Sequence, residues 1–272
     1  MQILKNILIA TDFSKSATNA LAYAINLAQQ IDAKLYILHI KDVRDSDSRL
    51  SDEHIEKEFE ALEHNFLFLR SLETRFITKE GPIADVIIEQ AKINHADLIV
   101  VGVKGASGVR EGSFGSITAR IMDLTPCAIM CVHSNCRVLS FEKALIAVDF
   151  NHSLNPSALF TISFIAEAFS SQVQILNIEF EQSLVDDNAQ KEMLKLKDMF
   201  KHSMLDFHSF TTDSDKIVKG ISEYARSNSI DLITVFHLVN SKGEPFKRSK
   251  SKQLALTSQL PLLIIPIEVN QN

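Results

Sequence analysis

Short runs of Ile, Val and Leu recur along this chain, and between them apolar residues return every three or four positions. The first pattern belongs to strands and the second to amphipathic helices, so the two are expected to alternate. Residues 6–10 read as a first strand. Ser14 then reads as the cap of a helix whose Ala17, Leu21, Ala24, Ile25, Ala28 and Ile31 form one apolar stripe. Residues 35–40 follow as a second strand. Residues 51–72 mix acidic positions with Ile55, Phe59, Leu62, Phe66 and Leu69, which predicts one long amphipathic helix. After a short strand at 74–78, Gly81-Pro82 breaks the chain and sets Pro82 at the first position of a third helix with Ile83, Ile87 and Ala91 inward. A strand at 97–101, a helix at 115–124 and a strand at 127–132 complete the series. These strands are apolar at successive positions, so both faces are expected to be covered, as in a parallel sheet between two layers of helices.

The series then repeats. Residues 5–13 match residues 143–150 with Asp12 falling on Asp149, and residues 96–101 match 230–235 with Asp97 on Asp231. Thr125-Pro126 before the fifth strand matches Leu260-Pro261. The interval is about 135 residues, the length of a domain and far longer than a solenoid repeat. The expected fold is α/β: two tandem doubly wound open parallel five-stranded sheets, one domain over residues 1–137 and a second over residues 138–272.

Composition narrows the partners more than the fold. Of the 272 residues, 46% are hydrophobic and 23% charged, as in an ordinary globular protein. The net charge of −6 and pI near 5.9 give no global positive field to gather nucleic acid or anionic lipid. Residues 1–9 are interrupted by Lys5 and Asn6 and read as a strand, not a leader. No apolar run approaches the roughly 18–20 residues that cross a bilayer. Three cysteines do not make a disulfide framework, and the expected location is the cytoplasm.

The chemistry is concentrated after the fourth strand. Residues 102–116 carry five glycines, Gly102, Gly105, Gly108, Gly112 and Gly115, and lead directly into a helix. Glycine lets main-chain amides approach a ligand closely, and a helix N-terminus adds unpaired N–H donors, so the segment is suited to gripping phosphates. Its spacing is neither that of a Walker A loop nor that of the Gly-x-Gly-x-x-Gly dinucleotide turn. Gly102, two residues, Gly105, nine residues and then Gly115-Ser116 resembles the ATP-binding signature of the universal stress protein family. Residues 7–14, Leu38-His39-Ile40, residues 96–102 and Pro126 are similar to that family as well, and two copies of the pattern cover essentially the whole chain.

The resemblance implies that Ala10, Thr11, Asp12 and Ile40 surround adenine and ribose. It implies that Gly102, Lys104 and Gly105 line the ribose and α-phosphate, and that Gly115, Ser116, Ile117 and Thr118 face the outer phosphates, with Mg²⁺ held mainly by phosphate oxygens and water. Two of these residues have a plainer reading: Asp12 as a cap of the following helix, and Lys104 as a solvated loop lysine. The implied function is an ATP-binding stress-response or signalling module that acts through a protein partner. In tandem members the halves resemble an intramolecular dimer paired through their last strands, here 127–132 and 262–267, and further association into a homodimer stays open. The alternatives are a nucleotide-independent scaffold or chaperone-like protein of the same fold, and a slow ATP hydrolase.

The second half departs from the pattern. Residues 235–252 hold a single glycine, Gly243, and Phe236 falls where the first half has Gly102. A benzyl group there is expected to obstruct close main-chain approach, so this half is not expected to hold ATP in the family manner. The basic run Lys247-Arg248-Ser249-Lys250-Ser251-Lys252 reads as a solvated loop. Cys127, Cys131, His133 and Cys136 lie close together, but Cys127, Cys131 and His133 have strand parity, and the spacing is unlike that of a zinc site. Asp42, Asp45, Asp47 and Asp52 lack calcium-loop spacing. No nucleophile, base and orienting acid occur together, so neither catalytic nor metal-binding residues are expected.

Overall fold

The structure is a computed structural model that describes residues 4–42, 50–103, 114–137, 140–150, 154, 156–179, 187–200, 205–212, 216–240 and 249–269. The chain divides into two compact units, at Leu4–Leu139 and from Ser140 onward.

In the first unit β1 (Asn6–Thr11), α1 (Lys15–Ile31), β2 (Lys34–Lys41), α2 (Asp52–Asn65), β3 (Thr74–Glu80), α3 (Ile83–Ile93), β4 (Leu98–Val103), α4 (Phe114–Leu124) and β5 (Ala128–His133) follow in order. The strands lie side by side as β3-β2-β1-β4-β5, every adjacent pair parallel. Ile7, Leu8 and Ile9 are consecutive and wholly buried, because helices cover both faces of β1. Ser14 caps α1 by accepting the Ala17 N–H at 3.4 Å, and Ala17, Leu21, Ala24, Ile25 and Ala28 are buried. Ile31 is only half-buried, whereas Ala20, Tyr23 and Leu27 join the core, so the apolar face is broader than one stripe.

Two sequence expectations shift. The helix expected over 51–72 ends at Asn65; Phe66 leaves helical geometry at φ −117°, ψ 78°, and a 3₁₀ turn at Leu67–Ser71 follows. That turn buries Leu69 while Leu67 and Phe68 face solvent, which a continuous helix could not do with the same residues. Pro82 stands just before α3 as its cap and not inside its first turn. Gly81 has φ 146°, and a Cβ there would lie 2.9 Å from Val86 Cγ2, so only glycine fits this entry to α3.

The second unit runs β6 (Lys143–Val148), α5 (Pro156–Ala168), β7 (Gln172–Glu179), α6 (Asp187–Met199), β8 (Leu205–Thr211), α7 (Ile217–Ser227), β9 (Leu232–Asn240), α8 (Lys250–Thr257) and β10 (Leu262–Val269). Its strands take the corresponding order β8-β7-β6-β9-β10, again all parallel. The likeness reaches the backbone angles. Among the described residues, the non-glycine positions with positive φ form three pairs: Phe13 with Phe150, Asp32 with Ser170, and His95 with Ser229. Each member of a pair occupies the same turn of its own unit.

Candidate functional site

In the first unit the chain leaves β1 toward β2 and β3 on one side, and leaves β4 toward β5 on the other. β1 and β4 are neighbours with Ala10 opposite Val101, so their carboxyl ends flank the crevice in which open α/β sheets hold ligands. Ala10 and Thr11 end β1, Asp12 follows, Ile40 lies near the end of β2 and Gly102 near the end of β4. Gly115, Ser116, Ile117 and Thr118 form the first turn of α4, whose start lies at the same end of the sheet by the topology of a parallel crossover. Ile117 is half-buried and Thr118 buried. Lys104 and Gly105 lie outside the described residues.

The turn from β1 into α1 is tightly tied. Thr11 Oγ1 accepts the Phe13 N–H and Asp12 Oδ1 accepts the Ser14 N–H, both at 3.0 Å. These bonds hold Phe13 at φ 59°, a left-handed geometry costly for an aromatic residue. Packing offsets that cost: the Phe13 ring stacks on His39 at 4.7 Å and meets Phe59 edge-on at 5.4 Å. His39 is buried, and burial lowers its pKa against the opposing pull of the Thr11 carbonyl and Asp12. Because a carbonyl only accepts, the neutral imidazole carries its proton on Nδ1 and donates it to Thr11 O at 3.0 Å. Asp12 thus serves the turn with one oxygen, as its capping reading requires, while its side chain stays exposed at the mouth of the crevice.

Gly102 has a structural reason as well. A Cβ at this position would lie 2.5 Å from the carbonyl oxygen of Ser16 and 2.8 Å from Ala17 N, so the first turn of α1 rests directly on the β4 main chain. Glycine here brings the start of α1 onto the crevice rim. On the other side, Arg120 of α4 donates from Nε and Nη2 to Asp85 Oδ1 of α3 at 2.9 and 2.8 Å, tying those two helices together.

The second unit has a crevice at the same place with different walls. Strand register sets Ala147, Val148, Asp149 and Ile178 where the first unit has Ala10, Thr11, Asp12 and Ile40, and Phe236 where it has Gly102. All five residues line a cavity of about 270 Å³. Phe236 borders this space without filling it. The helix start differs accordingly: β1 ends at Thr11 and α1 begins at Lys15, whereas β6 ends at Val148 and α5 begins only at Pro156.

A polar group that the sequence reading passed over lies beside this cavity. His237 Nδ1 is 2.8 Å from Ser251 Oγ and 3.2 Å from Ser249 Oγ, and the two hydroxyls are 2.8 Å apart. His237 and Ser251 are buried, and Ser249 also caps α8 by accepting the Lys252 N–H. The run 247–252 was expected to be solvated. Of it, Ser249, Lys250 and Ser251 line the cavity, while Lys247 and Arg248 lie outside the described residues. The readable signal was a serine pair at i, i+2 at the start of α8; its histidine partner is 12 and 14 residues earlier and is not implied by local spacing.

Burial pushes the thiols of Cys127 and Cys131 up to about 12 and raises that of Cys136 as well. They are protonated at neutral pH, with Cys131 and Cys136 buried and Cys127 half-buried. Among the described residues, no three His, Cys, Asp or Glu side chains gather in a way that could hold a metal ion, and no helix is long and apolar enough to cross a membrane.

Comparison with known proteins bears on the family and the fold. Residues 4–133 match the model of the universal stress protein family. The chain is 30% identical over 140 residues to a universal stress protein of Methanocaldococcus jannaschii, covering 48% of this chain and 82% of that protein. It is 29% identical over 136 residues to one of Synechocystis, covering 48% and 86% respectively. The crystal structure of a universal stress protein from Archaeoglobus fulgidus shares the fold with a TM-score of 0.73 at 15% identity, over 96% of this chain and 98% of that one. By sequence in its first half and by fold along its length, this chain belongs to the universal stress protein family.

Proposed function

We propose that the first unit binds ATP together with Mg²⁺ at the crevice between β1 and β4, and that the second unit does not bind it in that manner. The observation that carries this reading is the convergence on one rim of the tied Thr11-Asp12-Phe13-Ser14 turn, the glycine at Gly102 and the first turn of α4. Ala10 and Ile40 supply apolar surface for a base, and Asp12 an acceptor for ribose hydroxyls. The amides of the α4 first turn supply donors for phosphate oxygens. Lys104 and Gly105 complete the site in this proposal. Among the described residues no group of three His, Cys, Asp or Glu forms a metal cage, and the proposed cation arrives with the nucleotide and keeps its phosphate and water ligands. In the second unit Phe236 stands at the Gly102 position, so the rim there carries a side chain where the first unit has bare main chain. ATP occupancy of the first unit then alters the surface around residues 102–118 and the protein partner that reads it, in a stress-response or signalling role.

Isothermal titration with Mg-ATP tests the proposal. One site per chain is expected, weakened by Asp12→Ala and by Gly115→Val. Absence of saturable binding overturns it, and two equivalent sites overturn the assignment to the first unit alone.

A further inference from the structure

We propose that the crevice of the second unit is a binding site for a small monocarboxylate with an apolar body. The site is independent of the nucleotide reading above, because it lies wholly within the other unit. Its place is the ligand position of an open α/β sheet, the carboxyl ends of β6 and β9 where the strand order reverses. Its volume of about 270 Å³ falls just under the ~300–1,000 Å³ of ordinary small-molecule sites, which sets the ligand size as small. Ile178, Ile217, Ile221, Leu254 and Ile267 make most of the wall aliphatic, and Phe236 adds an aromatic surface where the first unit has bare main chain. An apolar body gains from burial against such a wall.

One end of the cavity is polar and organised. Ser249, Lys250 and Ser251 line it, and Ser251 is 6% exposed. In the proposed site the imidazole proton is on His237 Nδ1, where that proton and one hydroxyl hydrogen suffice to hold the His237–Ser249–Ser251 triangle together. The second hydroxyl hydrogen is then available to a ligand oxygen. Lys250 lines the same wall, and a hydroxyl donor together with an ammonium is the pairing that receives a carboxylate. Among the described residues Lys250 is the one cationic side chain in this lining, enough charge for a single carboxylate and not for a di- or triphosphate.

The test uses the full chain with sodium octanoate as probe and octan-1-ol as its uncharged match, followed by calorimetry and by thermal melting. Octanoate is expected to bind once per chain, with octan-1-ol about tenfold weaker or more. Lys250→Ala, on a half-exposed side chain, is expected to weaken octanoate about tenfold. Leu254→Phe and, separately, Ile221→Phe are expected to abolish binding by filling the cavity; each counts only where circular dichroism shows a folded protein, and the lysine variant decides if neither folds. Three results each overturn the proposal: no saturable octanoate binding, equal affinity for octan-1-ol, or octanoate binding unchanged in the folded variants. Displacement of octanoate by ATP overturns it also, since it would make the crevice a nucleotide site.

Discussion

Asp97 and Asp231 hold equivalent posts in the two units: each stands just before the fourth strand and accepts main-chain N–H groups at the start of the first. Asp97 Oδ2 takes the amides of Lys5 at 2.8 Å and Asn6 at 3.0 Å, and Asp231 Oδ2 takes that of Lys143 at 2.9 Å. These bonds lie at the amino ends of the strands, opposite the crevices. Asp97→Ala is therefore expected to lower stability by about 1–3 kcal/mol, through charge-assisted bonds lost to two amides, and to leave ATP affinity unchanged. Urea denaturation read beside ATP titration checks both halves of this expectation.

Gly102 gives the contrasting case. Its missing Cβ is the space that Ser16 O occupies, so Gly102→Ala must push α1 away from β4. A loss of about 1–3 kcal/mol is expected from the overpacking, measurable as a lower urea midpoint without ligand. Any fall in ATP binding in this variant would follow from displacement of the rim and would not by itself identify a contact.

His39 ties stability to pH. Its folded pKa lies below 6.5, so between that value and 6.5 the unfolded chain binds more protons than the folded one. The contribution of neutral His39 is present in full above about pH 6.5 and is lost as pH falls through its lowered folded pKa. His39→Asn, the residue found at the corresponding Asn177, is expected to flatten the acid side of the stability–pH profile below pH 6.5. Melting temperatures taken at half-unit pH intervals for both proteins measure the difference.

The cysteines allow a chemical check of the core. With thiols held up to about 12, Cys127 and Cys131 are protonated at pH 8, Cys131 buried and Cys127 half-buried. Iodoacetamide is expected to label them slowly in the native protein and rapidly in denaturant. Fast native labelling would mean that the β5 region opens readily.

Much of this molecule was legible in the chain because it depends on near neighbours. The alternation of strand and helix follows from the spacing of apolar residues. The Ser14 cap and the placement of Asp12 ahead of it are also local, and the duplication is visible because both units reuse the same short segments. Helix ends were less legible: whether residues 66–71 continue α2 or tighten into a 3₁₀ turn depends on how Leu69 reaches the core, which local periodicity does not encode.

The sequence by itself determined the α/β class, the duplicated order of elements and the contrast between a glycine-rich and a glycine-poor loop, since all three are properties of residues close together in the chain. Only the tertiary structure decided that Gly102 is reserved for the Ser16 carbonyl and that Phe236 borders a cavity instead of closing it. It alone brought His237 onto two serines 12 and 14 residues away in sequence. Each of these depends on where a helix begins relative to a strand far away in sequence, and that distance is set by packing of the whole unit.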